Sequence, residues 1–281
     1  MTRLQTRTAL LLASGFFVLG FFERRLIYYP TRVLEATPSA VGLEYEDLAI
    51  RTADGLRLHG WFVPGAGAGW TLLFLHGNAG NIGDRVENLR LLHDLGLQVC
   101  IIDYRGYGRS EGSPTEEGLY RDADAAYSWL LARADVDPER IVVFGRSLGA
   151  AVAVDLCARV GCRRLILEGA FPSAAEMARA ILPLPMLDRL LPERFAAAEK
   201  IPNVRAPLLQ FHGARDEVVP FELGVRLFEA AHPPKAFVPV PGAGHNDVWI
   251  VGGQAYADRI RTFLAEAAPP SAGRSVPEEN R

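Results

Sequence analysis

Ser147 stands between two glycines in Gly145-Arg146-Ser147-Leu148-Gly149, directly after the apolar run Ile141-Val142-Val143-Phe144 and just before Ala150-Ala151-Val152-Ala153-Val154. A serine placed where a buried strand turns sharply into a helix is held on strained backbone that pushes its hydroxyl out of the sheet, the arrangement called a nucleophile elbow. The flanking glycines suit that turn because strand and helix approach too closely there for side chains. The chemistry open to such a serine is attack on an acyl carbon, and it needs a base to take the hydroxyl proton.

Of the six histidines, His245 is the best placed for that task. It lies in Pro241-Gly242-Ala243-Gly244-His245-Asn246-Asp247, a glycine-rich loop between an apolar strand at 236–240 and the last helix, where an imidazole can fold back over the sheet. His59, His93 and His232 fall in a hairpin strand, a helix stripe and a helix end, positions suited to structural or solvated histidines. The base in turn needs an acid to fix its tautomer and stabilise the imidazolium. Asp216 leaves a buried strand in Phe211-His212-Gly213-Ala214-Arg215-Asp216 and completes the chain order Ser147, Asp216, His245. Glu217 and Asp247 are the local rivals and read as solvated or capping groups.

A tetrahedral intermediate also wants two preorganised N–H donors for its oxyanion, and losing one costs on the order of a hundredfold in rate. Leu148 supplies one from the start of the helix after Ser147, where the dipole favours negative charge. The other is expected in His76-Gly77-Asn78-Ala79-Gly80-Asn81, with the Asn78 N–H as candidate and Ala79 behind it, while His76 buttresses the loop.

These residues need a sheet beneath them. Residues 70–75, 98–102, 141–144, 164–167 and 207–211 are apolar runs of strand length separated by helical stretches, the pattern of an α/β fold whose parallel sheet is covered on both faces. Residues 45–52 and 56–63 alternate around Ala53-Asp54-Gly55 and predict a β-hairpin. The glycine-rich stretch 64–69 reads as a flexible surface turn. An apolar stripe predicts a helix over 84–95, and Ser113-Pro114-Thr115-Glu116 reads as a capping box opening a helix to about Ala134. The stretch 171–200, with Pro183-Leu184-Pro185-Met186, interrupts the alternation and reads either as a cap over the site or as a plain amphipathic surface helix.

The chain of 281 residues, 49% hydrophobic, is long enough for one catalytic domain, expected over 31–267, with a tail at 268–281 too rich in proline and charge to pack. A net charge of −3 and the lack of any long basic run exclude a nucleic-acid partner. Cys100, Cys157 and Cys162 lie in apolar surroundings without ligand spacing and read as buried small hydrophobes rather than disulfide or metal cysteines. Residues 8–22 carry no charge and are followed by Glu23-Arg24-Arg25 and Tyr28-Tyr29. Fifteen helical residues span only about 22 Å, yet no small-residue cleavage site follows, so the segment 1–30 is expected to be an uncleaved membrane anchor with its juxtamembrane stretch. Basic residues on both sides leave its orientation open.

Taken together, the loop 76–81, Asp103-Tyr104-Arg105-Gly106-Tyr107-Gly108-Arg109-Ser110, the elbow, His212-Gly213 with Asp216, and Gly244-His245 resemble the α/β-hydrolase superfamily, and within it the N-terminally membrane-anchored serine hydrolases of the alpha/beta-hydrolase-domain group. The resemblance implies an eight-stranded, mostly parallel sheet, no metal and no organic cofactor. It implies hydrolysis of carboxylic esters or, in some branches, thioesters of S-acylated proteins, so that the partner is a small or lipid-like acyl ester or an acylated protein. It also implies structural roles for Asp103 and Arg105 and a salt bridge for Arg146 below the elbow. Two rival functions fit the same residues: an aminopeptidase, for which Glu176 and Asp188 offer the anionic groups near the cap, and a non-catalytic scaffold on the same fold.

Overall fold

The structure, a computed structural model, describes residues 27–65, 69–181 and 194–266. Most of the segment expected to anchor the chain, the middle of the 64–69 turn (66–68), the proline-rich middle of the 171–200 stretch and the 268–281 tail fall outside them. Among the described residues no helix is long and apolar enough to cross a membrane.

Eight strands form one sheet: β1 (Glu46–Arg51), β2 (Arg57–Val63), β3 (Thr71–Leu75), β4 (Gln98–Ile102), β5 (Ile141–Arg146), β6 (Arg164–Glu168), β7 (Leu208–Gly213) and β8 (Lys235–Val240). Their order is β1-β2-β4-β3-β5-β6-β7-β8. Only the β1–β2 and β2–β4 pairings are antiparallel. The β1–β2 hairpin turns where the sequence predicts, with Gly55 at φ 87° and the Thr52 hydroxyl donating to Asp54 Oδ1 at 2.6 Å.

The long apolar runs become the fully buried strands β3 and β5 because helices cover both faces. The two faces share each strand by alternation: Leu73 and Leu75 pack with one core, Leu72 and Phe74 with the other. The first core receives α2 (Glu116–Leu131), α3 (Leu148–Val160) and α6 (Phe221–Ala230) through Leu119, Val152 and Leu227. The second receives α1 (Val86–Asp94) and α7 (Val248–Ala265) through Leu89, Ile260 and Phe263. The loops leaving the neighbouring strands β3 and β5 therefore lead to helices on opposite faces. This opens a crevice at the carboxyl ends of the strands, the place where open α/β sheets bind ligands. Two short helices, α4 (Ala174–Ile181) and α5 (Ala197–Lys200), bracket the undescribed 182–193.

Two sequence expectations are corrected here. Cys157 and Cys162 form a disulfide. α3 ends at Gly161 in the left-handed region (φ 69°), and that turn carries Cys162 back beside Cys157, to a Cα separation of 4.9 Å. Cys100 alone keeps the expected character, a free buried thiol whose pKa burial pushes up to about 12. The cap of α2 is Thr115, not Ser113: its hydroxyl accepts from Gly118 N at 3.0 Å. This register puts Glu116 and Glu117 in the first turn, where the helix dipole favours carboxylates.

Candidate active site

Ser147 sits at φ 52°, ψ −118°, a conformation that L residues adopt only when their surroundings enforce it. Three restraints enforce it. Its N–H donates to Glu168 O at 2.8 Å, which locks the turn to the end of β6. A Cβ at Gly145 would lie 2.4 Å from Gly149 O, and one at Gly149 would lie 2.0 Å from Leu75 O, so neither position admits a side chain. The strand, the turn and α3 close on one another only with glycine at both places.

The hydroxyl so presented meets His245. Ser147 Oγ lies 3.0 Å from His245 Nε2, and His245 Nδ1 lies 2.8 Å from Asp216 Oδ2. The other carboxylate oxygen, Oδ1, accepts from Val218 N at 2.9 Å and Val219 N at 2.7 Å, which fixes the carboxylate plane. Burial pushes the Asp216 carboxyl up. The His245 hydrogen bond and charge and the two backbone donors outweigh it, holding the group below the usual carboxylate range. An ionised Asp216 accepts the Nδ1 proton, leaving Nε2 as the lone pair that faces the serine. Nearby, His212 is buried and kept neutral by its desolvation; its Nε2 donates to Val219 O at 2.9 Å, bracing the loop that carries the acid.

The rivals for the acid hold backbone instead. Glu217 Oε2 accepts from His245 N at 3.2 Å, and Asp247 Oδ1 accepts from Gly244 N at 2.7 Å. Below the elbow, Arg146 Nε pairs with Glu168 Oε1 at 3.0 Å, as the family resemblance implied. Its Nη2 also reaches His245 O at 3.2 Å. Tyr256 completes the buried group by donating to Glu168 Oε2 at 2.8 Å.

One residue of this site escaped the sequence reading. Gly169 follows β6 at φ 58°, and a Cβ there would lie 2.9 Å from His245 Cε1 and 3.2 Å from Nδ1. A glycine after an apolar strand has no motif around it, and only the fold shows that it makes room for the imidazole. Gly169→Ala combines about 1–2 kcal/mol of left-handed strain with displacement of the ring. Steady-state kinetics are expected to show kcat reduced on the order of a hundredfold with KM little changed, and a protein that still melts cooperatively.

The two residues expected to donate to an oxyanion both neighbour the elbow in the chain or in space. Leu148 is the first residue of α3, so its N–H lies at the positive end of the helix. Gly77 abuts the elbow, a Cβ there lying 3.4 Å from Ser147 Cβ, and Asn78 follows it. Among the described residues neither the Leu148 nor the Asn78 N–H donates a hydrogen bond. The Asn78 side chain is held independently: its Oδ1 accepts from Tyr107 OH at 2.8 Å and from Tyr29 N at 3.2 Å, and its Nδ2 donates to Ile27 O. Further along the loop, Asp103 Oδ1 accepts from Ile82 N at 3.0 Å, while Arg105 joins Asp54 and Asp122 at 2.8 Å each.

His76 is fully buried, with Nδ1 donating to Gly77 O at 2.7 Å and its ring against Tyr104 and Tyr107. Burial lowers its pKa to about 4. Between the ordinary value near 6.5 and pH 4, the unfolded chain binds a proton that the fold refuses, so stability falls as pH falls across that window. The loss from this residue reaches about 3 kcal/mol and grows no further below pH 4. Urea unfolding at pH 7 and at pH 4.5 is expected to show a smaller pH dependence in His76→Gln than in the unaltered protein; equal dependence would remove His76 as the cause.

Among the described residues no group of three or more His, Cys, Asp or Glu side chains is placed to hold a metal ion.

Comparison with known proteins agrees with this architecture. The family described as alpha/beta hydrolase fold matches residues 71–206. The chain is 44% identical to the uncharacterized protein Rv2307c of Mycobacterium tuberculosis, over 92% of this chain and 93% of the relative. It is 36% identical to the alpha/beta hydrolase domain-containing protein WAV2 of Arabidopsis thaliana, over 92% of each, and 34% identical to protein bem46 of Schizosaccharomyces pombe, over 91% of each. Among solved structures, the Pyrococcus furiosus esterase Pf2001 superposes with a TM-score of 0.71 at 22% identity, covering 85% of this chain and 97% of the esterase.

Proposed function

The chain belongs to the alpha/beta hydrolase family, and from that premise we propose that it is a serine hydrolase cleaving carboxylic esters or thioesters through an acyl-enzyme. The observation that carries this reading is the continuous relay Ser147–His245–Asp216, at 3.0 and 2.8 Å, on a serine held between glycines at the start of a helix. In the proposed reaction Ser147 Oγ attacks the acyl carbon as His245 Nε2 takes its proton. The N–H groups of Asn78 and Leu148 hold the oxyanion of the tetrahedral intermediate. The imidazolium then gives its proton to the departing alkoxide or thiolate, and water reverses the sequence to release the acid. Asp216 keeps the imidazole in the receptive tautomer throughout.

The aminopeptidase reading needs an unneutralised anion near the cap for a substrate ammonium. Glu176 pairs with Arg226 at 2.5 Å, which takes away the described member of the pair that the sequence offered; Asp188 lies outside the described residues. That contact favours ester chemistry. The scaffold reading leaves the strain at Ser147 without a purpose.

A fluorophosphonate probe separates these readings. We expect stoichiometric labelling of the folded protein at Ser147, and faster turnover of an acyl aryl ester than of the matching aminoacyl amide. A folded protein that resists the probe would return the scaffold reading, and preference for the amide would return the peptidase. The sequence-based expectation of an N-terminal membrane anchor is retained as part of the proposal, supported by the uncharged run at 8–22.

A further inference from the structure

Residues 27–32 lie along the loop 76–81. The Ile27 carbonyl accepts from the side chain of Asn78, and Tyr29 N donates to that side chain at 3.2 Å. Gly80 N donates to Tyr29 O and Thr31 N to Gly80 O, both at 3.1 Å. Arg32 continues the attachment by donating to Ser110 O at 2.6 Å. Tyr28 is buried, its ring meeting Phe195 edge-on at 6.3 Å. Residues 27–32 are thus a strap bonded along the loop whose Asn78 N–H is the proposed oxyanion donor.

The length of the connection fixes the consequence. Phe22 ends the uncharged run, and five residue steps separate it from Ile27. Five steps span at most about 18 Å when fully extended. A folded unit of this chain's size is roughly 45 Å across from the usual scaling of radius with length. A bilayer holding residues 8–22 would therefore lie within reach of the site-bearing edge and out of reach of the opposite one.

The surface of that edge is consistent with such a neighbour. Six large apolar side chains are exposed among the described residues: Tyr29, Val33, Leu131, Val218, Ile250 and Val251. Val218 comes two residues after Asp216, Ile250 and Val251 five and six after His245, and Tyr29 is bonded to Asn78. Val33 lies just beyond the strap, and Leu131, at the end of α2, is the exception.

We propose that the edge of the molecule bearing Ser147 rests on a lipid bilayer, so that the enzyme takes as substrate an acyl-ester lipid whose acyl chain enters the site directly from the leaflet. This rests on the hydrolase and anchor readings above and adds the orientation and the substrate class to them. Only residues within a few positions of the site touch the lipid, and the strap keeps the site's mouth and the anchor's end together.

The full chain is incorporated into phosphatidylcholine vesicles carrying a fluorogenic long-chain acyl ester, and a water-soluble butyrate aryl ester is assayed in parallel. Removing two side chains from an apolar interface is worth tenfold or more in interfacial engagement, on the order of the burial energy of one aliphatic residue. Ile250→Glu with Val251→Glu is expected to cut vesicle-borne turnover at least tenfold and to leave the soluble ester within about twofold, while Leu131→Glu changes neither. Unchanged vesicle turnover in the double variant overturns the proposal. Equal loss on both substrates also overturns it and places the pair against a second copy or the cap; should the melt show misfolding instead, Ile250→Gln with Val251→Gln is read in the same way. Failure of the unaltered chain to float with vesicles rejects the anchor together with the orientation. Failure to hydrolyse the soluble ester rejects the hydrolase reading on a separate readout.

Discussion

Ser147→Ala is expected to lower kcat on an aryl ester by on the order of 10⁶-fold, the scale seen when the nucleophile of such a relay is removed. The hydroxyl is the only group lost. The backbone restraints at this position, the Glu168 carbonyl and the close packing of Gly145 and Gly149, do not involve the side chain. Alanine tolerates the same strained conformation no worse than serine, so the thermal midpoint should move by no more than a few degrees. Fluorophosphonate labelling should vanish with activity. Retention of even a hundredth of the activity by a folded Ser147→Ala protein would place the nucleophile elsewhere.

Asp216→Asn is expected to cost about 10⁴-fold in kcat with KM nearly unchanged. The geometry decides which way the new amide points. Asp216 Oδ1 accepts from two backbone N–H groups, so asparagine must keep its oxygen there and turn its NH₂ toward His245. The NH₂ donates to Nδ1, which moves the ring proton to Nε2 and leaves no lone pair facing Ser147. The loop keeps both backbone bonds, so the loss is one of proton transfer rather than of folding. A reduction of less than tenfold would show that another group orients the imidazole, with Glu217 the first to examine because it already accepts from His245 N.

Much of this site is legible in the chain because its positions carry local signatures. Ser147 lies between glycines after an apolar strand, and His245 lies in a glycine-rich loop after another. The parallel sheet follows from runs such as 70–75 and 141–144 that no half-exposed strand would carry. What stays hidden depends on distant chain segments meeting. Gly169 matters only because His245, 76 residues later, folds over it. The strap at 27–32 reads as a stretch beside a membrane segment, since nothing local says that Asn78 will bond to it. Cys157 and Cys162 look like core hydrophobes because their neighbours are apolar, and the left-handed turn at Gly161 that joins them is a feature of backbone, not of composition. Composition does not separate Ser113 from Thr115 as the cap of α2, since both offer the same hydroxyl two residues apart; only the fold shows that Gly118 N meets Thr115.

Glu168 holds Ser147 and His245 at once. Its carbonyl receives the Ser147 N–H, its carboxylate pairs with Arg146, and Arg146 reaches on to the His245 carbonyl. The distance between hydroxyl and imidazole is thus referenced to a single point in the sheet, and among the described residues none of these contacts is borrowed from 171–200. The spacing of the two side chains is therefore set by the sheet and not by the described residues of 171–200. Changes of length or sequence in 171–200 are thus expected to leave the Ser147–His245 distance as it is.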